Sequence, residues 1–271
     1  MESWRKNGVA TLILEIPGTG DCPADPSDPL SPDRLYSSLF DWVGQQQVID
    51  QKKVAVWGFS TGGYYAIRVA HTHHEKLAGV VSQGGGCHYM FDPKWLDEVN
   101  HLEYPFDLAD TLAYKFGYSS LSDFKAEALS KYSLVNDGTL DRKQCARLLL
   151  VNGTGDEIFP VDDCYVATEH GMSKEMRIVR GAKHMGEPEA FFIILGWLYK
   201  LLGVQANPVD QVKTLPFKAK FKAPWEKEIE VGSKEQIKAL KEGMKGGPEG
   251  HASGEKNVSF ELGANEQTSG T

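Results

Sequence analysis

Short apolar runs and amphipathic stretches alternate along the chain up to Leu202. Val9 to Ile16 is rich in β-branched and aliphatic residues and ends at Pro17-Gly18-Thr19-Gly20, which predicts a strand stopped by a turn. Val54-Ala55-Val56-Trp57 is a continuous apolar run that predicts a strand buried on both faces. Ala78 to Val81, Leu148 to Val151 and Met176 to Val179 predict three more strands of this kind. Between them the period changes to that of a helix. Pro32 to Gln47 places Leu35, Leu39, Trp42 and Val43 on one stripe, and the stretch after Ser60 does the same with Tyr65, Ala66, Val69 and Ala70. A last helix is expected from Pro188 to Leu202, carrying Phe191, Phe192, Leu195, Leu198 and Leu202. Apolar strands separated by helices predict an α/β fold, with a mostly parallel sheet covered on both faces. In such sheets ligands sit beyond the carboxyl ends of the strands.

Two regions break this alternation. Gln83 to Gln144 separates neighbouring strands by far more than an ordinary connection. It contains helical pieces at Pro93 to Val99, Leu108 to Phe116 and Phe124 to Leu129, and predicts a lid insertion spanning about residues 83–146. Its aromatics can be read in two ways: Tyr89, Phe91, Trp95 and Tyr104, with Phe106, Tyr114 and Phe116, as lining for a large apolar substrate, or as the lid's own small core. The α/β core is assigned to residues 1–207. The remainder, 208–271, is read as a low-complexity, disordered tail with a candidate solvated helix from Lys234 to Lys245. Ten lysines and ten acidic residues cancel within that tail, so the net charge of −8 belongs to the rest of the chain.

That acidity leaves no basic footprint for nucleic acid or anionic lipid. No stretch approaches a transmembrane span, and the N-terminus lacks the features of a signal peptide, so a cytoplasmic protein is expected. Cys22, Cys87, Cys145 and Cys164 are widely spaced, with no CxxC pair, and read as reduced thiols. Neither a cofactor nor a metal site is expected. His71, His73 and His74 read as a surface cluster at a helix C-terminus, where the dipole favours them. Gly84-Gly85-Gly86 lacks a following Lys-Ser/Thr, so it reads as a sharp turn into the lid and not as a phosphate loop.

The chemistry centres on Gly58-Phe59-Ser60-Thr61-Gly62, which falls directly after one expected strand and directly before a helix. A tight turn there would hold Ser60 in a strained conformation, with glycine needed at both 58 and 62, and the Thr61 amide would face a developing oxyanion. Gly63 would let the following helix approach the sheet closely. A serine hydroxyl needs a base within hydrogen-bond reach. The order nucleophile, acid, histidine is met by Asp156, in the loop after Leu148–Val151, and His184, in the loop after Met176–Val179. Glu157, Asp162 and Asp163 are rivals for the acid, with Asp162 second to Asp156. Cys164 is a rival nucleophile, set against the commoner role of a half-buried thiol.

The runs Leu14–Pro26, Trp57–Ala66 and Glu103-Tyr104-Pro105-Phe106 resemble the FrsA-like branch of the α/β-hydrolases. Within it they are most similar to fungal polyketide-shortening hydrolases of the yellowish-green conidial pigment (melanin) type. The resemblance spans roughly residues 5 to 203 and puts Ser60, Asp156 and His184 on the family's triad positions. It implies a serine hydrolase that cleaves a carbon–carbon or ester bond of a β-keto, polyketide-like small molecule through an acyl-enzyme. Independently of the resemblance, a homodimer is an admitted assembly. The resemblance also implies a departure. Members of the family carry further strands before the Pro-Gly-x-Gly turn, one of them lying between the strands expected at 9–16 and 54–57. The loop after that strand supplies the second oxyanion donor. The alternative expectation is therefore a truncated, catalytically silent fragment that binds a ligand or partner.

Overall fold

A computed structural model of the chain describes residues 2–207 and two short strands, Phe217–Lys218 and Glu230–Val231, which pair antiparallel. The chain divides into two units, Met1–Leu215 and Pro216–Thr271. Apart from those two strands, the tail at 208–271, with its candidate helix at Lys234–Lys245, lies outside the described residues.

The centre of the first unit is a four-stranded parallel sheet of β1 (Ala55–Phe59), β2 (Gly79–Gln83), β3 (Leu148–Gly153) and β4 (Glu175–Val179), in that spatial order. Val80 pairs with Leu148 and Leu150 with Met176, so the strands run level and end together on one edge. Successive side chains in a strand point to opposite faces, and both faces here are apolar. Val80, Leu148 and Leu150 pack on one side with α3 (Thr61–Thr72) and the lid. Val81, Leu149 and Val151 pack on the other with Ala190, Ile194 and Leu198 of α8 (Glu189–Leu202). Each such fully buried side chain contributes about 1.5–3 kcal/mol relative to exposure.

Helix α3 is buried from Gly63 to His71, because sheet, lid and α2 (Ser31–Gly44) surround it. Arg68 ties these elements together, donating to Asp33 of α2 at 2.8 and 2.7 Å and to Asp137 at 2.8 Å. Of the three histidines expected on the surface, His71 and His73 are interior, while His74 keeps 30% of its side chain exposed. His71 is 1% exposed, with Nδ1 2.8 Å from the Ile67 carbonyl oxygen. His73 is buried against Tyr36 and Phe40, with Nε2 2.9 Å from Ser37 Oγ. Packing of α2 across the end of α3 covers what the sequence pattern alone would leave to solvent.

The lid between β2 and β3 contains α4 (Pro93–Glu98), α5 (Leu108–Lys115) and α6 (Leu121–Tyr132). Side chains cap two of them, since Asp92 accepts from Lys94 N and Ser120 accepts from Asp123 N. The lid has its own aromatic core, in which Phe91, Phe116, Phe124 and Tyr132 stack around Tyr64 of α3.

Three expectations change at the open edge of the sheet. Val9–Ile16 forms no strand, and Leu12 and Ile13 are 48% and 73% exposed. A strand needs a hydrogen-bonded neighbour, and among the described residues β1 pairs only with β2. Residues 54–57 are accordingly half-buried and not covered on both faces. Between the two segments runs a groove of about 1210 Å³, lined by Val9–Ile16, Val54–Phe59 and Gly62 among others. The stripe of α2 is also rotated: Tyr36, Phe40 and Val43 are buried, while Leu39 is half-buried and Trp42 exposed.

Candidate active site

Every strand of the sheet except β2 hands a polar side chain to the same place. The turn from β1 into α3 puts Ser60 at φ 49°, ψ −122°, a conformation that costs a non-glycine residue about 1–3 kcal/mol. The turn is held by Ser60 N donating to Gln83 O at 2.8 Å and Gly63 N donating to Ser60 O at 2.7 Å. A Cβ at position 58 would lie 2.1 Å from Gly62 O, so only glycine fits there. Position 62 is different from expectation: a Cβ there would meet nothing within 4 Å, because the site opens toward the groove. Gly63 does allow a close approach, since its Cβ would lie 2.7 Å from Gly85 Cα.

Ser60 Oγ lies 2.8 Å from His184 Nε2, and His184 Nδ1 lies 2.9 Å from Asp156 Oδ2. A carboxylate only accepts, so Nδ1 carries the ring proton and Nε2 presents a lone pair to the serine hydroxyl. The side chains of His184 and Asp156 are 3% and 0% exposed. Asp156 is nevertheless fully partnered. Its Oδ1 accepts from Ile158 N and Phe159 N, and its Oδ2 also accepts from Asn152 Nδ2 at 2.7 Å. Asn152 Oδ1 in turn accepts from Gly153 N and from Met185 N, joining the acid loop to the histidine loop.

The rival carboxylates are engaged elsewhere. Glu157 pairs with Lys183 at the surface. Asp162 opens α7 (Asp162–Glu169). Asp163 is fully buried and accepts from His88 N, Tyr89 N and Met90 N at 2.7–3.0 Å, fastening the start of the lid. The desolvation of this carboxyl pushes its pKa up against those three donors. Burial also raises the Cys164 thiol to about 12, which removes it as a competing nucleophile at neutral pH. All four cysteines are free thiols.

The four aromatic candidates part company. Tyr104 packs its ring edge-on to His184, with centroids 6.1 Å apart, and stacks on Phe106. Trp95 reaches the histidine indirectly, through Phe159, whose ring is 5.7 Å from His184. Tyr89 is 39% exposed beside His88. Phe91 is wholly buried in the lid core, where Tyr64, Phe116 and Tyr132 surround it. Sequence reasoning missed Asn152, Phe159 and Glu103 as neighbours of the site. Asn152 and Phe159 flank Asp156 closely, which was a usable signal. Glu103 approaches His184 across eighty-one positions of sequence, and only folding reveals it.

Gly84-Gly85-Gly86 forms the sharp entry into the lid. Gly84 has φ +66°, and a Cβ there would lie 3.1 Å from His184 Cε1. Among the described residues no three His, Cys, Asp or Glu side chains group to hold a metal ion. No helix among them is long and apolar enough to cross a membrane.

Comparison with known proteins agrees with this architecture. Residues 36–190 match the model of the prolyl oligopeptidase family. Esterase FrsA of Vibrio vulnificus (strain YJ016) is 25% identical over 199 residues, covering 71% of this chain and 46% of the esterase. Esterase FrsA of Serratia proteamaculans (strain 568) is 25% identical over 174 residues, covering 63% and 40% respectively. The chain thus spans less than half the length of these curated relatives. Among solved structures, AbyA5 aligns with a TM-score of 0.62 at 20% identity, over 75% of this chain and 58% of that one. The structure titled 2,6-dihydroxy-pseudo-oxynicotine hydrolase aligns with a TM-score of 0.54 at 20% identity, over 72% and 53%. Both likenesses are of fold: a parallel sheet with flanking helices in the arrangement of an α/β-hydrolase.

Proposed function

The chain belongs to the prolyl oligopeptidase family, and from that premise we propose that it is a serine hydrolase of ester or β-keto substrates. The observation that carries this reading is the continuous hydrogen-bonded line from Ser60 Oγ through His184 to Asp156, with the serine in a strained turn. His184 Nε2 takes the hydroxyl proton as Ser60 Oγ bonds to the substrate carbonyl carbon. The negative charge moves to the carbonyl oxygen, where the Thr61 amide at the N-terminus of α3 is the donor. Asp156 holds the imidazole and balances the imidazolium. The tetrahedral intermediate then collapses. With an ester, the alkoxide leaves and takes the proton from Nε2. With a β-keto substrate the C–C bond breaks instead, and the departing carbon leaves as an enolate that receives that proton. Water attacks the acyl-serine with His184 again as base, releasing the acid and restoring Ser60.

For substrate class we propose an aromatic, polyketide-like β-keto compound of the kind handled in fungal pigment metabolism. Support comes from the rings of Tyr104 and Phe159 against His184, with Phe106 stacked on Tyr104, and from the FrsA-like motifs in the sequence. The named esterase relatives favour an ester as the simplest substrate to assay. A nitrophenyl ester should be hydrolysed with burst kinetics, and Ser60→Ala should lower the rate by about 10⁴-fold or more. Full activity in Ser60→Ala would overturn the reading.

One observation favours a second reading, a chain that binds without turnover. The bare edge of β1 and the groove beside it reach Phe59 and Gly62, next to the nucleophile. Stoichiometric labelling of Ser60 by a fluorophosphonate excludes this reading; a folded chain that stays unlabelled supports it.

A further inference from the structure

The lid sends one carboxylate to the histidine. Residues 101–107 form a loop that closes on itself. His101 N donates to Phe106 O at 3.3 Å, and His101 Nε2 pairs with Asp107 Oδ1 at 2.7 Å. Beyond this neck, Asn100 Oδ1 accepts from Ala109 N at 2.8 Å, fixing the loop to the start of α5. His101 has φ 58°, a left-handed conformation a non-glycine residue adopts only when its surroundings hold it there. At the tip of the loop, Glu103 Oε1 and Oε2 lie 3.3 and 3.2 Å from His184 N and accept its proton between them. The next residue, Tyr104, covers the edge of the same imidazole. His184 is thus held from two sides. Asp156 grips the ring from the body of the protein, and Glu103 grips the main chain from the lid.

We infer that Glu103 is a positioning residue for His184, fixing the main chain of the histidine from the lid and lending negative charge to the imidazolium formed during the reaction. The inference rests on the proposed hydrolase chemistry and adds a residue that the triad does not contain. Two effects follow from one side chain. Hydrogen bonding to His184 N sets where the ring pivots, and so whether Nε2 meets Ser60 Oγ. A carboxylate near the ring favours the charged imidazole. The groups facing Glu103 are His184, Lys183 and Glu187 on the loop after β4, Asp156 on the loop after β3, and Tyr104 beside it. Burial raises the Glu103 carboxyl pKa, so its charge is lost at a higher pH than that of an ordinary glutamate.

Two substitutions separate the effects. Glu103→Gln keeps an oxygen that can accept from His184 N but removes the charge. Glu103→Ala removes both. With a nitrophenyl ester, Glu103→Ala should lower kcat at least tenfold and leave KM within threefold. Glu103→Gln should recover most of kcat at neutral pH, and should move the acid limb of its kcat/KM profile to lower pH by about half a unit. The inference is overturned by an unchanged kcat in Glu103→Ala, by a loss confined to KM, or by a Glu103→Gln profile that superimposes on the parent. If Glu103→Ala melts below the assay temperature, the Glu103→Gln profile decides alone. A parent protein that shows no Ser60-dependent hydrolysis would instead remove the underlying hydrolase reading.

Discussion

At the scale of single residues, the site depends on groups that are buried and fully hydrogen-bonded at the same time. Asp156 is out of contact with water yet accepts four hydrogen bonds, two from backbone and two from side chains. Such a carboxylate stays in one rotamer and keeps His184 in one tautomer. Asp156→Asn should therefore preserve the fold but present an amide to Nδ1, stabilising the wrong tautomer and lowering kcat by about 10⁴-fold. Steady-state kinetics together with an unchanged circular dichroism spectrum checks this. A drop of less than tenfold would mean that another group orients the ring. The residues of this relay were legible in the sequence because each lies on the turn or loop that follows an apolar strand run. Asn152 and Phe159 were not singled out, since asparagine and phenylalanine carry no motif. Their importance comes from where Oδ1 and the ring end up after folding.

At the scale of elements, the lid is fastened at its start by one buried carboxylate. Asp163, on the first turn of α7, collects the N–H groups of His88, Tyr89 and Met90 as the chain leaves the glycine turn. Asp163→Ala leaves three interior donors unpaired, at about 1–3 kcal/mol each. A loss of at least 3 kcal/mol corresponds to a fall of about 10 °C in Tm for a domain of this size. Thermal denaturation reads this directly, and a shift of under 3 °C would show that the segment finds other partners. The strands β1 to β4 and the helices α2, α3 and α8 match the periodicity within a few residues, because buried apolar runs and amphipathic stripes are local signals. Val9–Ile16 has an equally good local signal and forms no strand. Pairing is a property of neighbours, and β1 leaves that side open.

At the scale of the whole molecule, buried bases set the response to acid. Desolvation lowers the pKa of His71 from 6.5 to about 4, so the folded protein keeps this ring neutral. The unfolded chain takes up a proton below pH 6.5 while the folded one does not, so stability falls as pH drops from 6.5 toward 4. Above pH 6.5 both states are neutral and the group contributes no slope. The full effect is at most about 3 kcal/mol. In His71→Leu, melting temperatures measured between pH 7 and pH 4 should decline less steeply than in the parent protein. Parallel curves would assign the acid sensitivity to other groups.

By itself the sequence determined the α/β alternation, the turn at Ser60, the order of acid and histidine, and the length of the lid. These rest on local propensity and on spacing along the chain, which need no knowledge of contacts. Tertiary structure alone decided which of four neighbouring carboxylates meets the imidazole. It also buried the α3 histidines, withheld a partner from Val9–Ile16, and set Glu103 against His184. Each of these is a matter of distance between segments far apart in sequence, fixed only when the sheet and the lid close around one another.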